Sequence, residues 1–258
     1  MLESLIAHFL YYPDFQWATT PGDYGLAAED VTLGTADGVR LHGWFFRVVN
    51  PVVTLLFCHG NAGNVSHRLD NVRRLVECGL QVFVFDYRGY GHSEGSPSER
   101  GLYLDAQTAF AYLQARRDVN PAHIVVFGRS LGGAVAIDLA TRVPAAGLIV
   151  ESSFTSLRAM MRQVLGGLPV PDLHQYESLN KIGRVGMPVL IIHGEGDELI
   201  PVLQGRQLYA LAPQSREWYL IPGAGHNDTY LVGGQVYLDR LLAFVTTVVG
   251  ASAGEQSF

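Results

Sequence analysis

Residues 124–133 read Ile-Val-Val-Phe-Gly-Arg-Ser-Leu-Gly-Gly. A β-branched apolar run ends in Gly-x-Ser-x-Gly, and an Ala-rich helical stretch follows through Ala134, Val135, Ala136, Leu139 and Ala140. Strand, sharp turn and helix in that order put a serine at the apex of the turn, a nucleophile elbow. Gly128 and Gly132 leave room around a strained apex, so the hydroxyl of Ser130 projects above the sheet edge. The helix behind it aims free N–H groups and the positive end of its dipole at the same place. Ser130 is therefore a candidate nucleophile. It requires a base, an acid that orients the base, and an oxyanion hole.

On this kind of sheet the partners follow in the order serine, acid, histidine. Pro188-Val-Leu-Ile-Ile-His193 is a buried-strand pattern, and the turn-rich loop Gly194-Glu-Gly-Asp197-Glu-Leu-Ile-Pro201 follows it. Trp218-Tyr-Leu-Ile221 is the next apolar run and leads into Pro222-Gly-Ala-Gly-His226-Asn-Asp228. Asp197 and His226 thus sit just past strand ends, on the same edge as Ser130. Glu195, Glu198 and Glu151 compete with Asp197 for the acid. Val52–Phe57 is another strand, ending in Cys58-His59-Gly60-Asn61-Ala62-Gly63-Asn64. That loop can offer the backbone N–H of Asn61, and Leu131, after the nucleophile, offers the second.

Other polar residues have structural readings. His59 and Gly60 support the oxyanion loop, Asp86 and Arg88 brace it, His193 is a satisfied core residue, and Asp228 is a loop hydrogen-bonder. No His-x-x-x-His or carboxylate cluster suggests a metal, and Gly-x-Gly-x-x-Gly follows no strand, so neither a metal nor a dinucleotide cofactor is expected.

The 258 residues suit one large α/β domain, 1–258. Hydrophobic content of 48% and charged content of 16% describe a globular chain, and a net charge of −6 argues against a nucleic-acid partner. No uninterrupted run reaches the roughly 18 apolar residues of a membrane span. The N-terminus (Leu2, Leu5, Ile6, Phe9, Leu10, Tyr11, Tyr12) is short, apolar and without a Lys or Arg before Arg40. It reads either as a segment docked on the core or as one lying at a membrane surface. Cys58 and Cys78 fall at opposite ends of a strand–helix unit, too far apart to pair, and two free thiols fit a cytoplasmic location.

Strands are expected near 31–35, 39–48, 52–58, 81–86, 123–128, 146–151, 188–193 and 216–221, the first two joined at Asp37-Gly38. Helices are expected near 65–78, 98–117, 131–142, 202–211 and 234–249. Ser96-Pro-Ser-Glu99 suits a capping box, and Leu102, Ala106, Ala109, Phe110 and Leu113 form one apolar stripe. The alternation implies a mostly parallel eight-stranded sheet with helices on both faces. Residues 152–186 interrupt it with Phe154, Leu157, Met160, Met161, Val164, Leu165 and Leu168, then Pro169 and Pro171. This insertion is either a helix packed on the core or a short cap whose Phe154, Leu157, Met160 and Met161 line an acyl pocket.

Five segments together resemble the α/β-hydrolase superfamily: His59–Asn64, Asp86-Tyr-Arg-Gly-Tyr-Gly-His-Ser-Glu-Gly95, Gly128–Gly133, Gly196-Asp197-Glu-Leu-Ile-Pro201 and Gly225-His226-Asn-Asp228. Within it they are most similar to the depalmitoylase-like branch, and the likeness runs from about Val31 to Val249. The resemblance implies the α/β-hydrolase fold, a Ser130–His226–Asp197 triad, and cleavage of a small-molecule or lipid-like acyl ester or thioester. It also implies possible association with a membrane surface. An amidase or peptidase would use the same triad, and a non-catalytic binding protein is the reading from another class.

Overall fold

A continuous apolar run needs cover on both faces, and residues 124–129 obtain it. Every residue of β5 (Ile124–Arg129) is buried in the computed structural model, which describes residues 10–166, 169–170 and 172–254. Ile124 and Val126 enter one core and Val125 and Phe127 the other, the two-residue alternation of a strand between two layers.

β5 lies in an eight-stranded sheet with β1 (Glu29–Gly34), β2 (Arg40–Phe46), β3 (Thr54–Cys58), β4 (Gln81–Phe85), β6 (Gly147–Glu151), β7 (Val189–Gly194) and β8 (Arg216–Ile221). The order is β1-β2-β4-β3-β5-β6-β7-β8. The pairs β1–β2 and β2–β4 are antiparallel and the rest are parallel, in register Cys58↔Gly128, Arg129↔Glu151 and Gly194↔Ile221. This is the mostly parallel eight-stranded sheet expected from the strand–helix alternation, and the α/β-hydrolase fold that the resemblance implies. The β1–β2 turn bends at Gly38, φ 84°, where Thr35 N donates to the Val39 carbonyl at 2.9 Å.

Against one face lie α1 (Leu69–Glu77) and α7 (Thr229–Gly254), which bury Leu69, Val72, Leu75, Tyr237, Leu241 and Phe244. The other face carries α2 (Glu99–Ala115), α3 (Leu131–Ala140), α5 (Leu179–Ile182) and α6 (Val202–Leu211). The α2 stripe is buried as its spacing requires, from Leu102 to Leu113, and each large side chain contributes about 1.5–3 kcal/mol. Its cap differs from expectation. Ser98, not Ser96, accepts from Gly101 N at 3.1 Å, and with glycine at the third helical position there is no reciprocal carboxylate.

Two further departures concern where helices begin. The stretch 65–78 begins as a 3₁₀ turn, Val65–Arg68, before α1. The last helix begins at Thr229, and its expected start, Gly234, is a kink with φ 51°. That helix reaches a mean hydropathy of 1.2 over Thr229–Gly250, long and apolar enough by composition to cross a membrane, although no unbroken apolar run marks it. Its Tyr237, Leu241, Phe244, Val245 and Val248 pack on the sheet.

Within the insertion, α4 (Leu157–Val164) is capped by Ser156, whose hydroxyl accepts from Ala159 N at 3.1 Å. Leu168 and Pro171 lie outside the described residues, as do Leu2, Leu5, Ile6 and Phe9. Leu10 and Tyr11 are buried, and the Tyr11 hydroxyl lies 2.5 Å from that of Tyr176 in the insertion. Leu10 and Tyr11 are therefore docked on the core, whereas Tyr12 is exposed. Cys58 and Cys78 are both free thiols.

Candidate active site

The turn after β5 is strained, and glycines make it possible. Ser130 has φ 55° and ψ −119°, a region that a side chain disfavours. Neighbouring strands hold it there: Ser130 N donates to the Glu151 carbonyl at 2.9 Å, and Ser153 Oγ donates to the Ser130 carbonyl at 2.8 Å. A Cβ at Gly132 would collide with the carbonyls of Cys58 and His59, and one at Gly128 with the Gly132 carbonyl and Ala136. The two motif glycines thus let α3 lie directly against β3 and β5.

The loops after β7 and β8 bring two side chains to this apex. His226 Nε2 lies 3.0 Å from Ser130 Oγ, and His226 Nδ1 lies 2.8 Å from Asp197 Oδ2. The geometry assigns the Nδ1 proton to the carboxylate and leaves Nε2 to accept the serine proton. The other carboxylate oxygen of Asp197 accepts from Leu199 N at 3.1 Å and Ile200 N at 2.7 Å. Burial alone would raise the Asp197 carboxyl, but His193, His226 and the Ile200 N–H outweigh it and hold it well below the usual range. Asp197 is therefore an anion at neutral pH.

The rival acids lie elsewhere. Glu195 and Glu198 are exposed on the same loop. Glu151 is buried, and it accepts from Thr229 Oγ1 and Tyr237 OH, each at 2.6 Å. Asp228 caps its own loop, accepting from Gly225 N at 2.7 Å. His193 is buried, with Nε2 2.8 Å from the Ile200 carbonyl and 3.5 Å from Asp197, so it also steadies the acid loop.

Arg129 is a site residue that the sequence reading missed. Its Nε lies 3.1 Å from Glu151 Oε1, and its Nη2 donates to the His226 carbonyl at 2.5 Å. A buried ion pair between β5 and β6 thereby anchors the histidine loop. The available signal was an arginine closing an otherwise apolar strand, immediately before the serine.

The loop after β3 is pinned by side chains. His59 Nδ1 donates to the Gly60 carbonyl at 2.7 Å, and Tyr87 OH donates to the His59 carbonyl at 3.0 Å. Asp86 accepts from Val65 N at 2.9 Å just beyond the loop, as a brace should. Arg88 does not brace the loop with it. Instead Arg88 pairs with Asp37 and Asp105, each at 2.8 Å, and ties the β1–β2 turn to α2. The Asn61 side chain accepts from Tyr90 OH at 2.8 Å and donates to the Leu10 carbonyl at 2.5 Å. Leu131 is the first residue of α3, where helix geometry gives the N–H no internal acceptor.

His59 carries a pH signature. Full burial, followed by the Arg68 charge, lowers its pKa from 6.5 to about 4. The unfolded chain then binds the extra proton between those values, so stability falls as pH drops from 6.5 toward 4. That histidine accounts for about 3 kcal/mol of the loss. Thermal midpoints of wild type and His59→Gln measured from pH 7 to 4 should show a flatter profile for the variant. Parallel profiles would contradict the assignment.

The residues expected to line an acyl pocket are placed differently from one another. Phe154 and Leu157 are fully buried in the core, and Phe154 meets the Tyr176 ring edge-on at 6.3 Å. Met160 and Met161 are half-buried against the same core. Packing on the core, one of the two readings of the insertion, describes these four. A cavity of about 230 Å³ lies instead on the α1/α7 side, among Arg68, Asn71, Arg129, Asn227 and Tyr230.

Known proteins with similar sequences agree on the fold class. A family model described as "Serine aminopeptidase, S33" matches residues 50–174. The chain is 40% identical over 243 residues to an uncharacterized protein, Rv2307c, of Mycobacterium tuberculosis, covering 92% of this chain and 86% of that one. It is 38% identical over 250 residues to the alpha/beta hydrolase domain-containing protein WAV2 of Arabidopsis thaliana, covering 88% and 81%. Among solved structures, the Pyrococcus furiosus esterase Pf2001 superposes with a TM-score of 0.78 at 22% identity, covering 92% of this chain and 99% of that one. At that identity the likeness is one of fold.

Proposed function

The chain belongs to the α/β-hydrolase superfamily, and on that premise we propose that it is a serine hydrolase of carboxylic esters or thioesters. The observation that carries this reading is the unbroken chain from Ser130 Oγ through His226 to Asp197, at 3.0 and 2.8 Å, at the tip of a strained elbow.

His226 Nε2 takes the Ser130 proton as Oγ attacks the acyl carbonyl. Asp197 holds the histidine in the tautomer whose Nε2 is free and stabilises the imidazolium that forms. The carbonyl oxygen becomes an anion, which the main-chain N–H groups of Asn61 and Leu131 receive. The Asn61 side chain is engaged by Tyr90 and Leu10, so its contribution is its backbone. The protonated His226 then gives its proton to the leaving alcohol or thiol. An acyl-Ser130 ester remains, and water deprotonated by His226 cleaves it. Arg129 is a positioning residue here, because it acts on the histidine loop through the His226 carbonyl.

The substrate expected is a small acyl ester or lipid-like ester. The family model described as an aminopeptidase keeps amides in the same assay. Treatment with a fluorophosphonate, followed by peptide mass spectrometry, tests the nucleophile. One adduct is expected, on Ser130. An adduct elsewhere, or none with intact protein, would overturn the reading. A panel of matched ester, thioester and amide substrates then ranks the bond classes, with esters and thioesters expected to exceed the amide.

A further inference from the structure

The cavity on the α1/α7 side has a charge arrangement that the proposed reaction does not use. Its volume of about 230 Å³ is below that of pockets enclosing drug-sized ligands, roughly 300–1,000 Å³. Arg68 and Arg129 both line it, and Ser130 and Asp197 do not. Arg68, half-buried at the end of the 3₁₀ turn, donates through Nη2 to the Ala62 carbonyl. Its Nε is buried without a partner, and among the described residues no carboxylate lies within 4.0 Å of it. Arg129 Nε lies at ion-pair distance from Glu151 without a hydrogen bond, its Nη2 donates to the His226 carbonyl and Asn227, and no hydrogen bond of the described residues engages its Nη1. Asn71, 4% exposed, also lines the cavity and carries a buried side-chain oxygen with no partner.

Of the two arginines at this cavity, Arg129 has Glu151 as its counter-charge, whereas Arg68 has no carboxylate of the described residues within ion-pair distance. Burying an arginine with no counter-charge is costly, and a second arginine beside it adds repulsion. Of the nearby acids, Asp70 pairs with Arg73 and Arg74, and Glu151 with Arg129, Thr229 and Tyr237, while Asp86, whose Oδ1 accepts from Val65 N, supports the Arg68 charge only from beyond ion-pair distance. Burial, then Arg129, accordingly pulls Arg68 down to about 10. A phosphate or carboxylate oxygen set between the two guanidinium groups would meet the free N–H donors of both, the geometry for which arginine is suited. The Asn71 amide, turned so that its NH₂ points inward, would add a third donor.

We propose that this cavity binds a compact oxyanion, a phosphate or carboxylate group, between Arg68 and Arg129. The site touches both loops of the candidate active site: Arg68 holds the Ala62 carbonyl beside Asn61, and Arg129 holds the His226 carbonyl. An anion there ties the two loops together. It is either part of the substrate or a free ion.

Inorganic phosphate is the probe, titrated into the whole chain in chloride-matched ionic strength, with the thermal midpoint and isothermal calorimetry as readouts. A saturable rise in midpoint is expected, because a ligand that binds only the folded state stabilises it. Arg68→Gln should weaken the apparent Kd by about tenfold or more, as loss of a charge-assisted pair does. Asn71→Asp is nearly isosteric and places a carboxylate against the arginines; it should abolish binding even if Arg68→Gln folds poorly. Absence of a phosphate-specific shift in wild type, or equal binding in Asn71→Asp, overturns the proposal. Neither readout depends on turnover, so failure here is distinct from failure of the hydrolase reading. The source of the anion follows from kinetics. If it is substrate-borne, phosphate competes with a succinate monoester but not with a neutral acetate ester. If it is a free ion, phosphate changes turnover of both alike.

Discussion

Ser130→Ala is expected to lose ester hydrolysis by on the order of 10³-fold or more, with the fold intact. The size of the loss follows from what disappears. Without Oγ there is no acyl intermediate, and only the oxyanion donors and substrate binding remain. The fold survives because Oγ makes one hydrogen bond, to His226, while the turn itself is held through the Ser130 backbone. Ser130→Gly separates the two properties. It removes the nucleophile and also relieves the φ 55°, ψ −119° backbone, so it should be as inactive as alanine yet more stable by about 1 kcal/mol. The measurements are kcat/KM on a matched ester and the urea midpoint of each protein. Hydrolysis by Ser130→Ala near the wild-type rate would remove Ser130 from the reaction.

Asp197→Asn is expected to reduce kcat by roughly 10³–10⁴-fold while KM changes little. The carboxylate receives the His226 Nδ1 proton at 2.8 Å; an amide that presents NH₂ there instead favours the tautomer with its proton on Nε2, pointing at Ser130. That imidazole cannot accept the serine proton. Asp197 also caps its own loop through Leu199 N and Ile200 N, and the asparagine oxygen can still accept there, so a modest loss of thermal stability is expected. The control is Glu151→Gln. Glu151 is buried against Arg129, Thr229 and Tyr237, so changing it should lower stability and loosen the His226 loop without reversing the tautomer. If Glu151→Gln abolishes turnover and Asp197→Asn does not, the acid has been assigned wrongly.

Much of this arrangement was legible in one dimension because it is local. A β-branched run followed by Gly-x-Ser-x-Gly and alanines specifies strand, tight turn and helix within ten residues, and the steric demand at Gly128 and Gly132 belongs to that turn. The apolar runs before Asp197 and His226 likewise end at the sheet edge where parallel strands put their loops, so their order along the chain sufficed to suggest a meeting. Competing acids were harder to separate. Glu151 also follows a strand, and only its burial against Tyr237 and Thr229 from the last helix shows that it faces away from His226.

Local sequence specified the strand–helix alternation, the apex serine and the two side chains expected to converge on it, since short-range sterics and hydrophobic periodicity act within a few residues of each. Tertiary structure alone decided what lies between distant segments. It turned Phe154 and Leu157 into core, gave Arg88 to the β1–β2 turn rather than the oxyanion loop, and joined Arg129 to a carbonyl 97 residues away. It also set Arg68 beside Arg129 around a shared cavity. A long polar side chain reaches partners several ångströms from its own backbone in any direction. Which partner it finds is settled by how sheets and helices stack, and that information is not written in the neighbouring residues.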